Sequence, residues 1–121
     1  MLDSSGWIEL LAGTDRAILF EPALRADRSL VPAIVRYEVG RYSQEHRGTS
    51  GRELALTALS KFEQVPIDDV LADLAPELAH AHKLAMADAL VYAAAQTANA
   101  ELWTQDKHFE RIHGVKFFPK D

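Results

Sequence analysis

The sequence predicts an α/β domain built on a short, mostly parallel sheet. Brief apolar runs alternate with longer segments of helical periodicity along the chain, as strands do when helices carry the chain between them. Acidic residues stand just past two of those runs, where parallel sheets open their ligand crevice. The length of 121 residues suits one compact unit with one core and one site.

Met1-Leu2, leading into Asp3, is all the sequence offers as a first strand, so that strand is either very short or begins upstream. Trp7, Ile8, Leu10 and Leu11 then share a helical stripe that ends at Gly13. The run Ser29–Pro32 reads as a second strand, and residues 33–44 as a helix with Glu38 in its middle. Leucines and alanines at helical spacing predict another helix from Ser50 to Phe62, with Gln64–Ile67 as the next strand. Two more helices follow, Asp68–His82 and Leu84–Ala98. Glu101–Thr104 is a strand, Lys107–Ile112 a short helix, and Val115–Phe118 an edge strand that tolerates Pro119 at its end.

Composition removes several function classes. With 48% hydrophobic and 26% charged residues, the chain has a globular rather than a disordered makeup. It contains no cysteine, which excludes disulfides, thiolate nucleophiles and cysteine-bound zinc together. The N-terminus has no basic region followed by a long apolar stretch, and no run approaches the roughly 20 apolar residues of a membrane span. A cytoplasmic location is expected, with no membrane association. The net charge of −5 argues against a protein that coats nucleic acid, because such binding neutralises many phosphates. An RNA substrate would need metal ions and a local basic patch.

Four acids stand out. Asp3 and Asp106 each fall just past a predicted strand and would face one crevice; the competing reading is that each caps the following helix, and the two roles can coincide. Asp88 interrupts Leu84-Ala-Met-Ala-Asp-Ala-Leu-Val-Tyr92, a segment apolar on nearly every face and so expected to be buried. None of its neighbours three or four residues away is positive, and desolvating an unpaired carboxylate is expensive. Either a cation resolves this, or Asp88 lies at the exposed start of the helix. Glu38 has Arg41 three residues on, so a surface salt bridge competes with a ligand role. Several carboxylates converging on one cleft make sense mainly around hard divalent cations.

The segments holding these acids resemble the PIN-domain ribonucleases, in particular the VapC-like toxins of type II toxin–antitoxin pairs. Leu2-Asp3-Ser4-Ser5 resembles the family's opening, with Ser4 where Thr is more usual. Arg36-Tyr-Glu38-Val resembles its helical Glu, Leu84-Ala-Met-Ala-Asp88-Ala-Leu-Val-Tyr its most recognisable stretch, and Leu102-Trp-Thr104-Gln-Asp106-Lys-His-Phe109 its closing motif. Four weak motifs in the right order, framing almost the whole chain, are more specific than any one.

The resemblance implies a three-layer α/β/α sandwich around a parallel sheet, one or two Mg²⁺ or Mn²⁺ ions, and endonucleolytic cleavage of RNA. Asp3, Asp88 and Asp106 would hold the ions directly or through water, and Glu38 would complete the shell and orient the attacking water. Ser4 and Thr104 would fix carboxylate rotamers, with helix capping as their competing role. Arg36, Arg41, Lys107 and Arg111 lie near these segments and would contact RNA phosphates, although each alone also reads as a solvated charge. The resemblance further implies a cognate antitoxin that lays a basic side chain among the carboxylates, and a homodimer.

Among the five histidines, His80 and His82 point different ways on one helix, and His108 is the best placed for catalysis. A response-regulator receiver would need an Asp closing a strong apolar strand in mid-chain, which is missing. A dehalogenase-type phosphatase would need a second Asp two residues after Asp3, where Ser5 stands. A catalytically silent module that receives a partner's basic segment remains the alternative from another class.

Overall fold

The computed structural model describes residues 1–25 and 29–120. Its elements follow the order α1 (Ser4–Ala12), α2 (Ala17–Phe20), a 3-10 turn (Glu21–Arg25), β1 (Leu30–Pro32), α3 (Ala33–Leu59), β2 (Glu63–Val65), α4 (Asp69–His82), α5 (Met86–Thr97), β3 (Leu102–Thr104), a second 3-10 turn (Lys107–Phe109) and β4 (Val115–Phe117). This is the α/β architecture that the alternation of patterns predicts.

Every strand pairing among the described residues is parallel. β1 pairs with β2 from Leu30↔Glu63 to Pro32↔Val65, and β3 with β4 from Leu102↔Val115 to Thr104↔Phe117. The first strand reduces to one bridge, Leu2↔Trp103, flanked by hydrogen bonds from the Trp103 amide to the Met1 carbonyl at 2.8 Å and from the Asp3 amide to the Trp103 carbonyl at 3.3 Å. The ladder therefore runs in two hydrogen-bonded pieces, with Met1–Asp3 as a lane along β3. Leu2, Leu30, Val31 and Leu102 are buried because helices cover these strands: α1 packs on β3, and α3 packs on β1 and α5.

Several predicted elements are corrected. The helices expected over 33–44 and from Ser50 to Phe62 form one element, α3, broken at Gly48, whose backbone is non-helical at φ 71° and ψ −167°. That conformation is open essentially to glycine alone, so the break sits where the sequence permits it. The short helix expected over Lys107–Ile112 is a single 3-10 turn ending at Phe109, and Arg111 takes a left-handed φ of 67°, which no α-helix accommodates. The strand expected at Gln64–Ile67 is shifted to Glu63–Val65. Pro66 has no amide hydrogen to add to a ladder.

The helix expected from Leu84 starts instead at Met86. Lys83 adopts a left-handed φ of 56° that ends α4, and the chain turns through Leu84 and Ala85 before α5 begins. Asp88 is thus in the first turn of α5, not in a buried middle. Met86 is 75% exposed, so an apolar sequence there did not mean an interior one.

Candidate active site

Asp3 is held from three directions. It is the N-cap of α1, and its Oδ1 accepts hydrogen bonds from the Gly6 amide at 3.2 Å and the Ser5 hydroxyl at 2.6 Å. Its Oδ2 accepts from the Thr104 hydroxyl at 2.5 Å. The cap and the site role therefore coincide. The residue is 5% exposed, and burial pushes its carboxyl above the usual range although these donors oppose the shift.

Thr104 is fully buried at the end of β3 and does two things. While donating to Asp3 it accepts from the Asp106 amide at 3.0 Å, so one hydroxyl ties the two strand-end acids together. Asp106 then caps the second 3-10 turn, its Oδ1 accepting from the His108 amide at 2.9 Å. Phe109, completely buried, pins this turn to the core and faces Tyr92 of α5 with ring centroids 6.5 Å apart. The loop that carries Asp106 is thus packed on the helix that carries Asp88.

Asp88 is half-buried in the first turn of α5, where negative charge suits the helix dipole. It does have a partner that local spacing could not show: His108 Nδ1 lies 3.3 Å from Asp88 Oδ2 and 3.2 Å from Asp106 Oδ1. Burial first, then repulsion from Asp106, raises the Asp88 carboxyl above its ordinary range, and His108 partly offsets this. Glu38, half-buried on α3, is raised by burial, opposed by a hydrogen bond from Ser4, and pushed further by Asp88, Asp3 and Asp106. Four acids far apart in sequence thus share one electrostatic neighbourhood.

The two serines divide the work. Ser4 serves Glu38, whereas Ser5, which the sequence reading passed over, holds Asp3 and accepts from the Gln105 amide at 3.3 Å. Gln105 was also missed. Its side-chain amide donates to Glu9 Oε2 at 2.7 Å and accepts from Arg16 Nε at 2.7 Å, anchoring the peptide between Thr104 and Asp106. Arg16 in turn donates to the Phe118 carbonyl at 3.2 Å. A polar residue inside a strand-end motif is the one hint the sequence offered.

The basic residues are scattered. Arg41 pairs with Glu45 at 3.1 Å rather than with Glu38, so the salt bridge that would have explained Glu38 is not formed. Arg36 donates to Gln64 at 3.2 Å and Ser60 at 3.0 Å, on a side of α3 two residues, or about 200°, away from Glu38. Arg36 and Arg41 line a groove of about 460 Å³ with Tyr37, Gln44, Arg52 and Leu56. Lys107 and Arg111 are exposed beside the loop that holds Asp106.

Asp88, Asp106 and His108 each present one ligand atom, all within 4.8 Å of one another. Asp88 Oδ1 and Asp106 Oδ2 carry no hydrogen bond among the described residues. Unengaged, mutually repelling carboxylate oxygens are the donor set a hard divalent cation takes, so the residues present fit such an ion.

Residues 1–115 match the family model described as PIN domain. Among solved structures, the chain is 26% identical to a chain of a toxin–antitoxin complex from Klebsiella pneumoniae, with a TM-score of 0.83 and 98% of each chain covered. It is 19% identical, with a TM-score of 0.76, to a chain of VapBC2 from Rickettsia felis bound to a promoter DNA fragment, covering 100% of this chain and 98% of that one. It is 16% identical, with a TM-score of 0.69, to Mycobacterium tuberculosis VapC20, described as a toxin that cleaves the sarcin–ricin loop, with 83% of each chain covered. The last two likenesses speak to fold alone. The curated proteins give no significant match.

Proposed function

The chain belongs to the PIN domain family, and on that premise we propose that it is a divalent-metal-dependent endoribonuclease, the toxin of a toxin–antitoxin pair. The observation that carries this reading is the convergence of Asp3, Glu38, Asp88 and Asp106, three of them with raised carboxyl pKa values. A structural role for four acids would have surrounded them with cations. Among the described residues the one basic side chain within ion-pair distance of them is His108, and it touches only two of them.

Asp88, Asp106, Asp3 and Glu38 would hold one or two Mg²⁺ or Mn²⁺ ions. When bound, such ions supply Lewis-acid polarisation of a phosphodiester and of an attacking water. The chain itself supplies placement. Thr104 and Ser5 fix both oxygens of Asp3, Ser4 orients Glu38, and the capped turn fixes Asp106. Lys107 and Arg111 would contact phosphates beside the acids, and the groove of Arg36 and Arg41 would take RNA farther along. An antitoxin would block the cleft by placing a basic side chain among the carboxylates, which the uncompensated negative charge favours; a homodimer and a cytoplasmic setting accompany this reading.

The test is cleavage of labelled structured RNA by the purified chain with Mg²⁺, Mn²⁺ or EDTA, beside a folded Asp88→Asn variant. Metal-dependent cutting that the variant loses is the expected result. No cutting of a broad RNA set, together with no divalent-ion binding by calorimetry, would transfer the cleft to the alternative reading, a silent module that receives a partner's basic segment.

A further inference from the structure

We propose that His108 is a nitrogen ligand of the metal in this cleft, and that the cleft therefore takes a first-row transition ion such as Mn²⁺ in preference to Mg²⁺. The proposal rests on the four-acid metal reading above and adds a ligand that reading does not contain.

Three features of the structure carry it. The first is spacing. His108 Nδ1 stands 3.2 Å from Asp106 Oδ1 and 3.3 Å from Asp88 Oδ2. Donor atoms about 2.1 Å from an octahedral ion sit roughly 3.0 Å apart at adjacent vertices and about 4.2 Å apart at opposite ones. One ligand atom from each of the three residues lies within 4.8 Å of the other two, so side chains need to move little to bracket one ion.

The second is preorganisation. The His108 amide donates to Asp106 Oδ1 at 2.9 Å, which closes Asp106 and His108 into one turn, and Phe109 beside it is completely buried. Packing of the neighbouring ring thus fixes where residue 108 leaves the backbone, and much of the cost of ordering a ligand is met by folding. The third is charge. Asp88 and Asp106 have no lysine or arginine paired with them among the described residues, and the imidazole is the group the fold brings to them. A neutral imidazole cannot balance two carboxylates, so a cation is still required.

Ligand chemistry then sets the preference. Mg²⁺ keeps to oxygen donors and retains its waters, whereas affinity for sites with mixed oxygen and nitrogen donors rises along the first transition row. Exchanging one oxygen position for an imidazole disfavours Mg²⁺ relative to those ions.

The experiment uses Mn²⁺ as the probe on the metal-stripped full chain. Mn²⁺ binding is followed by loss of the free-ion electron paramagnetic resonance signal, ¹⁴N coupling by electron spin echo modulation, and Mg²⁺ affinity by competition. The wild type is compared with His108→Ala, an exposed substitution, and with Asp88→Asn. Expected is ¹⁴N coupling in the wild type that His108→Ala abolishes, with Mn²⁺ affinity falling by at least about tenfold, the scale on which even outer hydrogen-bond partners of metal ligands act, and Mg²⁺ affinity falling less. Mn²⁺ bound without ¹⁴N coupling, or equal losses for both ions in His108→Ala, would overturn the His108 proposal and leave the four-acid reading standing. Failure of the wild type to bind Mn²⁺ at all would overturn both.

Discussion

Thr104 Oγ1 donates to Asp3 Oδ2 at 2.5 Å across 101 residues of sequence, and the same oxygen accepts from the Asp106 amide at 3.0 Å. One buried hydroxyl thereby sets the positions of two carboxylates that belong to opposite ends of the chain. The site is consequently coupled to the closure of the fold.

Replacing Thr104 by valine keeps the shape and removes both hydrogen bonds. A half-buried amide and a buried carboxylate oxygen would each lose a partner, at about 1–3 kcal/mol for a fully buried group. We expect Thr104→Val to lower stability in urea by about 2 kcal/mol or more, and Thr104→Ser to restore most of it. Equal stability of Thr104→Val and wild type would show that the bridge contributes nothing.

The raised carboxyls of the cleft should cost the metal-free protein stability as they ionise. The Asp88 carboxyl is raised in the folded state, by burial and then by Asp106. Between the ordinary pKa of about 4 and the raised value, the folded chain holds more proton than the unfolded one, so the slope of stability with pH from this group is negative. In EDTA, the melting temperature of Asp88→Asn should gain on that of wild type as pH rises through the ordinary carboxylate pKa of about 4. Saturating divalent ion should reverse the order, adding about 2.7 kcal/mol to the wild type at a hundredfold excess over Kd. A gap that does not change with pH would remove the repulsion from the account.

Arg52 lines the α3 groove with Arg36 and Arg41 and has no ion-pair partner among the described residues. If this groove takes RNA phosphate, Arg52→Gln should weaken binding of single-stranded RNA alike for different sequences. It should also reduce the slope of log affinity against log salt by about 0.7. Cleavage rate at saturating RNA should hold, because the acids are untouched. An unchanged slope would exclude Arg52 from the path of the RNA.

Gly48 tests the break in α3. Its φ of 71° and ψ of −167° suit glycine alone, and an added Cβ would meet nothing within 4 Å. The cost of Gly48→Ala is therefore conformational, about 1–3 kcal/mol, read as a lowered denaturation midpoint with metal affinity intact. Equal or greater stability of the alanine variant would mean that the two halves of α3 straighten at no cost.

Much of the fold was legible because its signals are local. The alternation of apolar runs with helical stripes foretold parallel strands joined by helices, and Asp3, Asp68 and Asp106 stand as N-caps where helices or turns begin. The 3-10 turn in place of a helix after Asp106, and the late start of α5, were not legible. There the sequence is equally compatible with neighbouring conformations, and the packing of Phe109 and the left-handed Lys83 decide between them. Arg41 had two acids within helical reach, and the structure pairs it with Glu45.

By itself, the sequence determined the class of fold, the order of its elements, and which four acids stand at element ends or on helices, since each of these follows from periodicity or from chemistry at a single position. Only the tertiary structure decided the distant company those acids keep: Thr104 on Asp3, Ser4 on Glu38, His108 on Asp88. The reason is physical. Contacts between residues 20 to 101 positions apart are chosen by how the core closes, and no local pattern records that choice.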